Sequence, residues 1–379
     1  MAITHNKVSA KADGGDSSLV LPSDWNAAHV GQPSSISDFL DDTAGGTDAL
    51  TTKAPTSNAL YDVAHALPNR NAIINGAGIV NQRVTAFSLV KDTYGIAADR
   101  FYGMATGTAV SAGTFNNIAT ANCGVSGYAF KFIAVTLTGT GVLYFRYRME
   151  AKDAIRFKNQ TASFRCQVYQ DTGGAINYTI YVRKPTTTAD TFSAVTAISN
   201  SGAISVPNTT ATSLPYLAIA MGDCSKGIEI EIKVECGAIT TKNFEFTDIQ
   251  FELGSVATPF EFRPYGQELE LCQRYYEETV IGTHALLGTG YIALTTDLYA
   301  SLYYVRKRAT PTVTFSAVDD FEVIWYGGVT AASGIVSDLI YTSSCRLGLT
   351  TAAVLATGQA GFAAVADSVN GTIKIDSEL

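Results

Sequence analysis

The stretch Ile228-Glu-Ile-Glu-Ile-Lys-Val-Glu235 sets apolar and charged residues in strict alternation. Successive side chains of a strand point to opposite faces, so a period of two predicts a half-buried antiparallel strand with one wet face. The neighbouring Phe244-Glu-Phe-Thr-Asp-Ile-Gln-Phe251 alternates, slips by one residue near Asp248 and resumes, which predicts a β-bulge. Working outward, the same period marks strands over 128–137, 142–149, 162–170 and 176–184. No convincing helix interrupts them. About eight strands in residues 72–265 predict a β-sandwich of jelly-roll type.

The flanking regions read differently. Residues 1–54 carry turn chemistry such as Asp13-Gly-Gly-Asp16 and Gly45-Gly46, and predict an extended arm. Within it, Ser23 or Asp24 can cap a short helix carrying Trp25, near His29. A tryptophan in an arm without a core of its own predicts docking on another chain. Residues 55–71 predict a short helix and linker. Pro55 suits the first turn, Leu60, Val63 and Leu67 form one apolar stripe, and Pro68 ends it. The helix is too short to be stable alone and is expected to pack on a neighbour or on copies of itself, as a subunit bundle. Residues 266–379 open with helical character at 268–277. Strands follow at 290–295, 299–305, 311–317, 321–326, 335–341 and 372–376, which fits a second, smaller β-sandwich. Thr350–Ala366 is rich in Ala and Gly and has no readable period. The expected fold is mainly β: arm, short helix, jelly roll, then C-terminal sandwich.

Composition excludes several functions. The 379 residues carry 26 Lys and Arg against 34 Asp and Glu, a net charge of −8. The acidic excess lies at the two ends, and the centre is the least acidic. Such a chain does not coat nucleic acid, which needs a basic surface. No apolar run reaches the ~18 residues of a membrane span, so no membrane insertion is expected. The start lacks the apolar core of a signal peptide, so synthesis and retention in a cytosol, or release by lysis, are expected. The six cysteines form no C-x2-C pair and the four histidines do not cluster. Free, mostly buried thiols and neither metal nor cofactor are therefore expected.

Motifs of nucleophilic, metal-dependent and phosphate-binding enzymes are absent from the sequence. The best sugar-binding candidate by composition is Trp325-Tyr326, shortly after Asp319-Asp320: flat rings beside acids that accept hydroxyl hydrogen bonds. The alternative for Trp325 is to fill the C-terminal core. Tyr144-Phe-Arg-Tyr-Arg148 would make one strand face cationic, and Arg306-Lys-Arg308 reads as a partner patch or a solvated strand end.

Several phrases carry a family resemblance. Ile74-Asn-Gly-Ala-Gly-Ile-Val-Asn-Gln-Arg83 followed by Ala98-Asp-Arg-Phe101 resembles the opening of a β-sandwich module in bacteriophage tail-fibre and receptor-binding proteins. The module's end is similar too: Ile249-Gln-Phe-Glu-Leu-Gly254, Ala257-Thr-Pro-Phe-Glu-Phe-Arg-Pro264 and Glu268-Leu-Glu-Leu-Cys-Gln-Arg-Tyr-Tyr276. Leu21–His29, Thr52–Tyr61 and the closing Gly371–Leu379 resemble further stretches of virion proteins. The resemblance covers the edges of the regions, not their interiors. It implies a virion appendage, made in the host cytoplasm and commonly a homotrimer, and with catalytic motifs missing from the sequence the appendage is expected to be non-enzymatic. Its arm would be held by other virion proteins, with Trp25 and His29 as contacts, its jelly roll would resemble carbohydrate-binding modules, and its outward β domains would bind a host-surface glycan. The alternatives are a purely structural appendage and, less favoured, a polysaccharide-cleaving spike. Asp99 and Arg100 are expected to pair at a strand start. Phe251, Phe260 and Phe262 have the spacing of core plugs. These motif residues are expected to mark the module's structure rather than its ligand site.

Overall fold

A computed structural model describes residues 69–379, apart from 84, 85, 120, 284, 353 and 367–369. The arm and the helix before Pro68, with Trp25, His29, Leu60, Val63 and Leu67, lie outside the described residues.

Phenylalanines join the two sheets of the first sandwich. One sheet runs Phe87–Ser88, Ala109–Ile118, Ala129–Thr138, Ile239–Leu253, Thr161–Gln170, Thr212–Ala220. The other runs Ile204–Val206, Ile176–Pro185, Ile228–Glu235, Val142–Met149, Phe101–Thr106, Gly95–Ala98, and Val195–Asn200 also pairs with Ile176–Pro185. Ladder pairing is antiparallel throughout, and the chain repeatedly switches sheets as a jelly roll winds. Between the layers Phe145 stacks on Phe246 at 4.4 Å and Phe101 meets Phe130 at 4.2 Å. Most of this layer comes from alternate strand positions, the inward half of each pleat, and Ala154 and Phe157 of the short helical turn after Val142–Met149 add to it. The slip near Asp248 is a real bulge: the register shifts between Thr247 and Gln250, and Asp248 has φ 49°.

Alternation gave the phase of Ile228–Glu235 but not its surroundings. The expected wet face is overturned. Glu229 and Glu231 are 1% and 2% exposed, because arginines and a tyrosine from neighbouring segments close over them.

The C-terminal sandwich packs a three-stranded sheet on a seven-stranded one. The small sheet runs Tyr276–Ile281, Gly371–Asp376, Thr312–Phe315. The large one runs Gly328–Ala331, Phe321–Trp325, Ala360–Val365, Leu286–Leu294, Asp297–Tyr303, Ser344–Thr350, Gly334–Asp338. Val313, Ile373 and Ile375 from the small sheet meet Phe321, Leu298 and Leu347 from the large one. The six cysteines are free and buried. Among the described residues no helix is long and apolar enough to cross a membrane.

The helix Tyr265–Gln273 sits at the junction of the two sandwiches. Cys272 and Tyr275 pack there with Ile74 and Val80. Several of the described residues that carry the family resemblance build this junction. Asn75 bonds Val80 and the Asp99 carbonyl, Glu268 accepts from the Asn75 amide, and Arg263 donates to the Asn71 and Ile73 carbonyls. Two expectations fail here. Asp99 accepts from Gln82, not from Arg100, whose partner is Glu378. Phe251 is buried, but Phe262 is 55% exposed, because the extended segment after Pro259 turns its ring outward. Arg306-Lys-Arg308 is not one solvated cluster: only Arg306 is exposed. Lys307 is buried against Glu277, and Arg308 donates to the Ser377 carbonyl.

Candidate functional site

The outer face of the seven-member sheet of the jelly roll is the best-built polar surface. Pleating turns Tyr144, Arg146 and Arg148 of Val142–Met149 outward while Phe145 and Tyr147 fill the core. Register sets Arg146 opposite Glu231, Arg148 opposite Glu229 and Tyr144 opposite Lys233. On the far side of Ile228–Glu235, Tyr181 stands opposite Glu231 and Arg183 opposite Glu229. Each glutamate is thus flanked by cations from two strands.

Distances show how tightly this lattice is closed. Arg146 Nη2 donates to Glu231 Oε2 at 2.7 Å, and Arg183 Nη1 donates to Oε1 at 2.5 Å. Arg148 Nε donates to Glu229 at 3.1 Å. The Tyr94 hydroxyl donates to Glu231 at 2.5 Å, and the Arg146 guanidinium lies 3.5 Å over the Tyr94 ring. Burial pushes the Glu231 carboxyl upward, but Arg146, the Tyr94 hydroxyl and Arg183 outweigh it and hold it below the usual carboxylate range. Burial, then the Glu231 charge, raise the Tyr94 phenol far above its ordinary value. The face is therefore a charge-balanced lattice and not the cationic stripe expected from Tyr144–Arg148. Glu231 is committed to arginines, which leaves it unsuited to proton transfer.

Two rings frame this lattice. Tyr144 and Tyr181 are half-buried, on strands either side of Ile228–Glu235 and two residues out of step, so two strand spacings and that offset put ~12 Å between them. Lys233, opposite Tyr144, is hydrogen-bonded to Glu235 at 2.7 Å. Flat rings with phenolic ends beside fixed donors and acceptors suit a hydroxyl-rich ligand. Among the described residues no group of three or more His, Cys, Asp or Glu could hold a metal ion.

The four residues singled out by composition are not assembled into one site. Asp319 and Asp320 lie in a single 3-10 turn, before the strand Phe321–Trp325. Tyr326 follows that strand in a hairpin turn and is 95% exposed. An extended strand places the acids and Tyr326 ~20 Å apart. Trp325 is partly buried against the C-terminal core, with its indole over Gly327. Sequence reading missed Tyr181 and the two glutamates. A tyrosine two residues before Arg183 in an alternating strand was the available signal, but only the register shows what it faces.

No family model matches the chain, and no curated protein matches it. Solved structures with a similar fold include TmCBM61 in complex with β-1,4-galactotriose: 10% identity over 49% of this chain and 100% of that one, TM-score 0.30. The C-terminal family 22 carbohydrate binding module of Clostridium thermocellum Xyn10B is 12% identical over 41% of this chain and 87% of its own, TM-score 0.28. The enzymatically active domain of bacteriophage CBA120 tailspike protein 4 is 13% identical over 50% of this chain and 22% of its own, TM-score 0.31. At that identity and overlap, no ligand, partner or activity passes from these proteins to this one.

Proposed function

We propose that the chain is a non-enzymatic virion fibre protein of tail-fibre type, and that its jelly roll binds host-surface glycans. The observation that carries the glycan reading is the outer sheet face, where Tyr144 and Tyr181 flank a lattice of Arg146, Arg183 and Glu231 held by mutual hydrogen bonds. Rings that are fixed before binding lose little entropy on contact, which favours a flat, hydroxylated ligand. The virion reading rests on the resemblance of the junction motifs. In it the N-terminal region anchors to other virion proteins in a homotrimer, where three weak sites act together.

The test is binding of the purified full chain to a glycan array and to intact host cells, with Tyr144→Ala/Tyr181→Ala beside it. Saturable binding lost in the variant is expected. A well-folded chain that binds neither array nor cells overturns the glycan reading and favours a structural appendage.

A further inference from the structure

A second polar cleft opens at the junction of the two sandwiches. It encloses about 550 Å³. Its floor is the outer face of the small sheet, where Asp376 lies between Tyr276 and Thr312, and Lys374 beside Thr314. Its wall is Arg83, from the first sandwich, whose guanidinium lies 3.5 Å over the Tyr276 ring. Glu378 and Arg308 complete the lining.

Apart from the buried Arg100–Glu378 pair, the ion pairs here are loose. Arg83 Nη2 stands 3.6 Å from Asp376 and 3.5 Å from Glu378, and Lys374 stands 3.7 Å from Glu278. On the tyrosine face, by contrast, Glu231 meets Arg146 at 2.7 Å and Arg183 at 2.5 Å. Arg83 Nε and Nη2 and Glu378 Oε1 are buried without a hydrogen-bond partner, and the Glu378 side chain is 8% exposed. Buried polar atoms left unbonded are costly, so this cleft holds unspent hydrogen-bonding capacity.

We infer that this cleft is a second ligand site and that it takes a neutral, polyhydroxylated ligand, a saccharide. Cations and carboxylates nearly balance along the lining, so neither an anion nor a cation is selected by charge. A hydroxyl both donates and accepts, and can bridge a cation and a carboxylate held too far apart to bond each other. The Thr312 and Thr314 hydroxyls add further partners along the floor. One face of Tyr276 is already covered by Arg83, so recognition here is by hydroxyl edges rather than by ring stacking. The inference extends the glycan-binding reading but rests on different residues.

The test titrates the full chain with cellotriose, xylotriose and galactotriose, and with glucuronic acid as the charged control. Calorimetry gives affinity, and hydrogen exchange of the segments 371–379 and 142–149 gives location. Lys374→Met/Thr312→Val, both surface substitutions, is compared with Tyr144→Ala/Tyr181→Ala, with melting temperatures checking that each folds. Expected are protection of 371–379 by a neutral trisaccharide, survival of that protection in the tyrosine variant, and a loss of about tenfold or more in affinity at this site in the cleft variant. Protection at 371–379 that the cleft variant leaves unchanged, no protection there, or preference for glucuronic acid overturns the inference. Protection at 371–379 with none at 142–149 would instead overturn the outer-face reading and leave this one standing.

Discussion

Arg100 and Glu378 pair across 278 positions of sequence, and Arg100 has no solvent exposure. The guanidinium lies 3.4 Å over the Tyr275 ring, and its Nη2 donates to the Arg148 carbonyl at 2.6 Å. Around it the tail is fastened to the first sandwich: Tyr102 and Arg148 donate to the Leu379 backbone oxygen, and Arg308 to the Ser377 carbonyl. One buried cation thus joins the start of the jelly roll, the helix that follows it and the last strand of the second sandwich.

Removing that cation leaves Glu378 buried without its main partner. Arg100→Met is expected to lower stability by about 3–5 kcal/mol, because the cost is an uncompensated buried charge rather than a lost contact. Trp325 reports on the second sandwich, so its fluorescence in a Trp25→Phe background, read against far-ultraviolet circular dichroism during urea unfolding, follows the two halves. The second sandwich is expected to unfold first. Coincident, unshifted transitions would show that the pair does not couple them.

A backbone contact at the same junction makes a second prediction. The Gly76 carbonyl accepts from the Ile249 amide at 2.9 Å, and a side-chain carbon at Gly76 would lie 2.1 Å from the Ile249 oxygen. Gly76→Ala must push the two segments apart. It is expected to cost about 1–3 kcal/mol, measured by urea denaturation. An unchanged midpoint would mean that the loop moves freely.

The parts of this fold that were legible share one property: their information is local. The strand at 142–149 follows from alternation alone, and the bulge follows from the broken alternation at Asp248. Alternation fixes which residues share a face, not what lies opposite, so Glu229 and Glu231 read as wet although arginines from two other strands cover them. The strand Ala360–Val365 was unreadable because Ala and Gly give no contrast between its faces. Trp325, Tyr326, Asp319 and Asp320 are close in sequence but at opposite ends of one strand. The Arg100–Glu378 pair has no local trace.

Asp99 gives a pH dependence of definite sign. Burial is the main cause that raises its carboxyl to about 6; Gln82 and Arg83 oppose the rise, and Glu378 adds to it. The folded protein therefore holds this proton more tightly than the unfolded chain, whose carboxyl has its ordinary value of 3.8. The resulting stabilisation is complete below pH 3.8 and is lost as pH rises through about 6. Relative to Asp99→Asn, the wild type is expected to lose about 2–3 kcal/mol over that window. Urea unfolding of both proteins at half-unit pH steps checks this, and parallel curves would refute it.

Glu231 separates the lattice from the rings it supports. Its carboxyl is held below the usual range, so its contribution to stability is present above pH 4.5 and is lost as pH falls through the lower folded value. The Tyr144 and Tyr181 rings are expected to contribute about 0.5–1.5 kcal/mol each to glycan contact, so each alanine variant should weaken binding by about three- to tenfold. Glu231→Gln removes neither ring, yet it takes the shared anion from between Arg146 and Arg183. If the lattice fixes the face in its binding form, this variant also weakens glycan binding at neutral pH, while the wild type keeps its affinity at pH 4.5 and loses it only as pH falls through the lower folded value. If Glu231→Gln lowers stability but leaves affinity untouched, the lattice is only a structural clamp and the rings act alone.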